Sequence, residues 1–180
     1  MKTHDYRDLI NLFENCFKDS YHTILVKGDS EPIYIPKKED GGYHQLVFAH
    51  GFFASALHET AHWCVAGDER RQIEDFGYWY KPDGRTPEEQ HVFESVEVKP
   101  QALEWMFSVA AGIRFRVSAD NVTGGMAASN NFKQRVYAQV QFYLENGLPA
   151  RASQFLQALL NFYQPSGTQL TLDLFLIDTI

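Results

Sequence analysis

The sequence predicts an α+β fold in a single domain, with a small sheet from the N-terminal half packed against helices. Two observations support this prediction: after an opening helix, short extended runs lie mostly before residue 81, and long stretches with helical spacing follow them. The chain has 180 residues, of which 44% are hydrophobic and 14% aromatic, enough for one substantial core. We therefore expect one domain over residues 1–180, in which the role of the tail from 168 to 180 stays open.

The first half of the chain predicts one amphipathic helix, several short strands and a second helix. Apolar residues recur at helical spacing over residues 5–18, which predicts the first helix. Apolar runs bounded by turn residues predict strands at 23–27, 32–35, 46–49 and 76–80. The stretch 51–66 contains no proline and no polar cluster before Gly67, which is well placed to end a helix.

The second half predicts mainly helices. Thr86 is placed to cap a helix, with Pro87 in the first helical position and Glu89 closing a capping box. Helix-ending glycines and prolines set the other boundaries, and the predicted helices are 87–98, 100–111, 131–146 and 150–163. Arg114 and Arg116 alternate with apolar residues as on an exposed strand, and the small residues of 121–131 predict a loop.

Charge and composition exclude several classes of protein. The net charge of −7 argues against a basic surface for nucleic acid, and so against a nuclease. The first residues lack the apolar core of a signal peptide, and the chain has no stretch of about eighteen apolar residues that would span a membrane. Two cysteines are too few for a disulfide framework. These features predict a cytoplasmic protein with no direct nucleic-acid partner and no membrane partner.

His58 and His62 belong to an H-E-x-x-H motif inside the predicted helix 51–66. A separation of four residues places both imidazoles on one helix face about a turn apart, where they can bind one metal ion. The flanking residues are apolar nearly all round, so the helix should be buried, and buried histidines need polar partners or a metal. The motif therefore predicts a metal site on a buried helix. The alternative is a pair of histidines that are simply packed.

The third ligand is less certain, because a catalytic metal normally takes three protein ligands. Asp68 has the position of the third ligand in the extended zincin pattern, but Val65 stands where that pattern has the glycine of its turn. The helix that begins after Thr86 offers three other candidates: His91, Glu94 and Glu97. Spacing alone does not choose among these four residues.

Five short motifs are spread between the first helix and about residue 163: Glu31–Tyr34, Val47–Phe52, His58–Cys64, Asp75–Tyr80 and Val96–Leu103. In combination they resemble the bacterial elongation factor P hydroxylase family. The resemblance implies a non-haem iron enzyme that hydroxylates the β-lysylated lysine of elongation factor P. It implies Fe(II) and O₂ as cofactor and co-substrate, although zinc is a metal that the purified protein could carry. Carried over position by position, it implies His58, His62 and Glu97 as ligands, with Glu94 as the runner-up.

Two enzyme mechanisms compete for these ligands. In a zinc hydrolase, the metal lowers the pKa of a bound water and Glu59 takes its proton as general base. In an oxygenase, Fe(II) with three protein ligands keeps coordination positions free for O₂. Glu59 would then deliver a proton, orient a neighbour or contact a substrate amine. The motif alone favours the hydrolase, and the family resemblance reverses that order.

Glu59 lies about 100° round the helix from His58, so we expect it beside the metal and not bound to it. We also expect an open cleft at the metal, because a protein side chain has to reach it. Acidic residues near this cleft would meet the substrate amines, and the candidates are Glu74, Asp75 and Glu94.

Overall fold

The computed structural model describes residues 4–38, 41–76, 84–118, 128–164 and 166–180. It confirms the predicted α+β class, with helices packed on a small sheet. The helices are α1 (Tyr6–Tyr21), α2 (Phe53–Val65), α3 (Pro87–Ala111), α4 (Asn130–Asn146) and α5 (Ala150–Tyr163). The strands are β1 (Thr23–Lys27), β2 (Ile33–Ile35) and β3 (His44–Phe48). Three short 3₁₀ turns complete the described part: Arg70–Gln72, Leu172–Leu174 and Ile177–Thr179.

The sheet has the order β1-β3-β2, so the last of the described strands in the sequence is the central one. β3 runs parallel to β1, with Leu25 opposite Leu46, and antiparallel to β2. β1 and β2 therefore do not form a hairpin, although a turn sequence separates them. An isolated bridge between Tyr34 and Asp75 lies on the free side of β2, just before the predicted strand 76–80. Residues 77–80 of that strand lie outside the described residues.

A tight turn connects the central strand β3 to α2. Gly51 has a φ of 74°, a conformation that favours glycine, and a Cβ there would also lie 3.2 Å from a ring carbon of Tyr6, which would have to shift slightly. The Ala49 N–H donates to Ser55 Oγ at 3.0 Å, which fixes the start of the helix against the strand. One side of α2 is buried, with Leu57 and Ala61 fully inaccessible. This turn thereby places the H-E-x-x-H motif against the core.

α3 is a single helix of 25 residues, and the predicted division into two helices at Pro100 is wrong. The predicted capping box is present, with Thr86 and Glu89 bonded to each other's backbone N–H. A proline inside a helix costs about 3 kcal/mol, because it removes one hydrogen bond and crowds the preceding turn. Full burial of Leu103 and Met106 on the far side of the proline contributes about 1.5–3 kcal/mol each. Packing therefore outweighs the local cost.

The C-terminal tail packs onto the helices. Phe175 is 2% exposed, and its ring meets Trp105 of α3 edge to face at 5.4 Å between centroids. Arg114 donates to the Thr179 carbonyl at 2.9 Å. The strand predicted around Arg114 and Arg116 is wrong, because these residues follow α3 in irregular structure. In the predicted loop 121–131, residues 121–127 lie outside the described part.

Within the described residues, none of the helices combines the length and the apolar character needed to cross a membrane.

Candidate metal centre

His58 and His62 lie one turn apart on α2, as their spacing predicts. Their Nε2 atoms are 3.1 Å apart. The side chains of His58 and His62 are 23% and 14% exposed, so the pair lies at the edge of the core and not inside it. Both imidazoles can therefore approach one ion at the edge of the core.

Glu97 extends from α3 toward the histidine pair. Its side chain is only 3% exposed, with Oε1 3.2 Å from His62 Nε2 and Oε2 3.8 Å from His58 Nε2. We searched the described residues for His, Cys, Asp and Glu side chains close enough together to bind one metal ion. These three form such a group, with one ligand atom from each at most 4.8 Å from the others. The contact between α2 and α3 thus brings the H-E-x-x-H motif together with Glu97, one of the four candidate third ligands.

The spacing of these atoms fits a single metal ion. Bonds of about 2.0 to 2.2 Å at tetrahedral or octahedral angles separate neighbouring ligand atoms by about 3.0 to 3.5 Å. The Nε2–Nε2 separation of 3.1 Å and the 3.2 Å from His62 Nε2 to Glu97 Oε1 fall in that range, and the 3.8 Å from His58 Nε2 to the other Glu97 oxygen, Oε2, is slightly longer. Two imidazoles and one carboxylate suit both Zn(II) and non-haem Fe(II). The donor set therefore fits a metal without selecting between these two.

The other candidate ligands lie elsewhere. The Asp68 side chain is 92% exposed and pairs with Arg71. His91 is exposed on α3. Glu94 is buried, but its carboxylate accepts a hydrogen bond from Ser129 Oγ at 3.3 Å. The choice of Glu97 over Glu94 stays a prediction, and the packing of α2 against α3 supports it.

The side-chain amide of Gln101 orients the Glu97 carboxylate by a hydrogen bond. Its Nε2 donates to Glu97 Oε2 at 3.2 Å and to the Ser118 carbonyl at 2.8 Å. The Ser118 N–H donates to Gln101 Oε1 at 3.0 Å, which fixes the orientation of the amide. Sequence reasoning missed this residue, although a position four residues after Glu97 lies on the same helix face.

Glu104 contacts the second nitrogen of His58, with Oε2 2.7 Å from Nδ1. Burial of the imidazole lowers the pKa of His58, but the carboxylates around it, Glu104 first, outweigh burial and raise that pKa well above its usual value. Glu104 was not among the sequence candidates. Its position seven residues after Glu97, two turns along the same face, was the available signal.

Glu59 lies outside the group of three but beside it. It lines a cavity of about 30 Å³, which is enough for one or two water molecules. The other residues that line this cavity are Tyr34, Leu46, His62, Trp63, Ala66, Arg70, Arg71 and Asp75. Burial raises the pKa of Glu59, an effect that the neighbouring His58 and His62 only partly oppose. This environment favours a carboxyl group that can hold a proton near the centre.

The three acidic candidates for a substrate amine differ in availability. Asp75 accepts hydrogen bonds from the Arg70 guanidinium, so its charge is already neutralised. Glu94 is buried beside Ser129. Glu74 is exposed. Glu59 has the better position for an amine that approaches the histidines.

Metal binding is expected to release a proton. The carboxylates around His58 raise its pKa well above 6.5, so we expect the imidazole to be protonated in the metal-free protein at about pH 7, and a metal at Nε2 would displace that proton. Affinity should therefore rise with pH from 6.5 upward and level off above the raised pKa of His58. Titration calorimetry in buffers of different ionisation enthalpy should detect about one proton released per ion. An affinity that is constant over this pH range would contradict the protonation of His58.

The fold and the geometry define a class: small α+β proteins with a candidate mononuclear metal centre of two histidines and one carboxylate. A profile described as elongation factor P hydroxylase matches residues 12–175. A protein of Haemophilus influenzae named elongation factor P lysine hydroxylase is 55% identical over 160 residues, which cover 89% of this chain and 90% of that protein. The chain therefore belongs to the elongation factor P hydroxylase family, which confirms the resemblance found in its motifs. The match extends into the tail, as far as the buried Phe175.

Proposed function

We propose that this protein hydroxylates the β-lysylated lysine of elongation factor P, with Fe(II) held by His58, His62 and Glu97 and with O₂ as co-substrate. Membership of the family supports hydroxylation of elongation factor P. The observation that carries the metal part is the closeness of the three side chains: the two Nε2 atoms are 3.1 Å apart, and the Glu97 oxygens lie 3.2 Å from His62 Nε2 and 3.8 Å from His58 Nε2. Since the target is a translation factor, we place the activity in the cytoplasm.

The protein residues have distinct tasks at this centre. When bound, Fe(II) supplies the free coordination positions and the redox chemistry that hydroxylation of a C–H bond with O₂ requires. His58 and His62 provide the Nε2 lone pairs, and Glu97 provides a negative charge held by Gln101. The partial exposure of both imidazoles leaves the centre accessible to a side chain of a partner protein.

The cationic substrate suits the acidic surroundings of the centre. A β-lysylated lysine carries amines, and Glu59 lines the cavity next to His62. As a carboxylate, Glu59 would accept a hydrogen bond from an amine, and as a carboxylic acid it would return a proton. We propose that Glu59 contacts the substrate or moves a proton, and that it does not bind the metal.

Mass spectrometry of elongation factor P tests this function. The protein is purified without oxygen, loaded with Fe(II) and mixed with lysylated or unmodified elongation factor P, a chemical reductant and O₂. We expect the lysylated form to gain one oxygen atom, and the unmodified form to remain largely unchanged. No gain in mass with Fe(II), together with peptide cleavage by the Zn(II)-loaded protein, would favour the alternative of a zinc hydrolase with Glu59 as general base.

Glu59→Gln separates the two mechanisms, because glutamine keeps the size of the side chain but cannot act as a base. A hydrolase would lose about 10²- to 10⁴-fold in rate while retaining its metal. For the hydroxylase we expect a smaller loss, about tenfold, with weaker binding of the lysylated substrate. The measurements are rate and substrate affinity at constant metal content, with the exposed Glu69→Gln as control. Normal rate and affinity in Glu59→Gln would leave Glu59 with a structural role only.

A further inference from the structure

The two nitrogens of His58 have different surroundings. Nδ1 lies 2.7 Å from Glu104 Oε2. Nε2 lies 3.1 Å from His62 Nε2 and 3.8 Å from Glu97 Oε2. The ring is thus placed between a close carboxylate on one edge and the candidate metal position on the other.

This difference determines which nitrogen is available to a metal. A neutral imidazole has one N–H and one lone pair, and only the nitrogen with the lone pair binds a metal. An ionised carboxylate is only an acceptor, so a contact of 2.7 Å holds the N–H at Nδ1. In the neutral ring that remains once the second proton has been lost to a metal, the lone pair is therefore on Nε2, which faces His62 and Glu97.

α3 supplies this acceptor from a rigid position. Glu104 follows Glu97 by seven residues, so both side chains are on the same face of one continuous helix. The Glu104 side chain is 12% exposed, so little water competes for its contact with His58. The same helix therefore carries a proposed ligand and a group that orients another ligand on α2.

We propose that Glu104 is a positioning residue that fixes the Nδ1–H tautomer and the ring orientation of His58, so that Nε2 faces the metal. This inference rests on the ligand set of the proposed function. It predicts that loss of Glu104 weakens metal binding and changes the coordination environment without removing a ligand. A carboxylate that only stabilised the fold would change neither property.

Metal titration tests the proposal without an activity assay. Co(II) is titrated anaerobically into Glu104→Ala, Glu104→Gln and the wild-type protein, and affinity and visible spectrum are recorded. We expect the dissociation constant of Glu104→Ala to rise by about 10- to 100-fold, with an altered spectrum. Glu104→Gln should show a smaller increase, because its amide oxygen still accepts from Nδ1 without the charge. Should Glu104→Ala fail to fold, the shift in Glu104→Gln, which is nearly isosteric, decides the test.

The control is Glu88→Gln, which makes the same chemical change at an exposed carboxylate in the first turn of α3, outside the group of three ligands. It should bind Co(II) as the wild type does. The tautomer itself can be read from ¹⁵N spectra of histidine-labelled, Zn(II)-loaded protein, where we expect His58 with Nε2 bound and Nδ1 protonated. Wild-type affinity and spectrum in both Glu104 variants would overturn the proposal. Unchanged Co(II) binding in His58→Ala would instead overturn the ligand set, so the two failures are distinguishable.

Discussion

His62→Ala is expected to abolish hydroxylation of elongation factor P while leaving the fold intact. The Nε2 atom of His62 lies 3.1 Å from His58 Nε2 and 3.2 Å from Glu97 Oε1, so it faces both other proposed ligands. Its loss leaves two protein ligands, fewer than the three that a catalytic metal normally takes. The side chain already borders a cavity of about 30 Å³, so truncation enlarges an existing space at the edge of the core and does not open a new one inside it. We expect metal content to fall to background, with only a small change in the temperature of unfolding.

The control for this experiment is His91→Ala. His91 is an exposed histidine of α3 and was itself one of the sequence candidates for the third ligand. It should retain metal, activity and stability. Hydroxylation at the wild-type rate by His62→Ala would leave the motif without a function and would refute the ligand set.

Glu97→Gln is the second change with a large expected effect. Glutamine retains the shape of the buried side chain, but it cannot supply the negative charge that the carboxylate offers a divalent cation. We expect affinity for Fe(II) or Co(II) to fall by more than about 100-fold, beyond the usual effect of changing a group that only supports a ligand. Anaerobic metal titration measures this loss, and unfolding monitored by circular dichroism establishes that the variant is folded.

Glu94→Gln is the matched variant for this experiment, because it makes the same chemical change at the alternative ligand one turn earlier on α3. If Glu94→Gln lost the metal and Glu97→Gln kept it, the assignment of the third ligand would be reversed. Glu94 would then be the third ligand in place of Glu97, and α3 would still be the helix that supplies the carboxylate.

The local features of the fold were predictable because local signals specify them. The strand at 23–27 and the helix at 150–163 were confirmed with the predicted boundaries. The position of the two histidines on the H-E-x-x-H helix was equally predictable, since residues four apart lie on the same face of a helix about one turn apart. The capping box at Thr86 and Glu89 was confirmed for the same reason, as its residues are close in sequence.

The remaining features depend on contacts between distant residues. The central position of β3 follows from its pairing with both other strands, and no local pattern reports it. Pro100 is a strong local signal for a helix end, yet burial along α3 outweighs it. Spacing left four candidates for the third ligand, and only the packing of α2 against α3 brings Glu97 to the histidines. Glu104 was missed because its contact with His58 exists only after these helices pack. Gln101 was missed because its amide is oriented by Ser118, which the chain brings back to α3 only after the helix has ended.

Isotope labelling tests the central claim most directly. Fe(II)-loaded protein, lysylated elongation factor P and a chemical reductant, which supplies the two electrons that reduce the second oxygen atom to water, are combined without oxygen and then exposed to O₂ labelled with heavy oxygen, in ordinary water. We expect one labelled oxygen atom in the modified lysine for the wild-type protein and none for His62→Ala. A product that gains no oxygen, or gains it from water and not from O₂, would contradict hydroxylation at a metal centre formed by His58, His62 and Glu97.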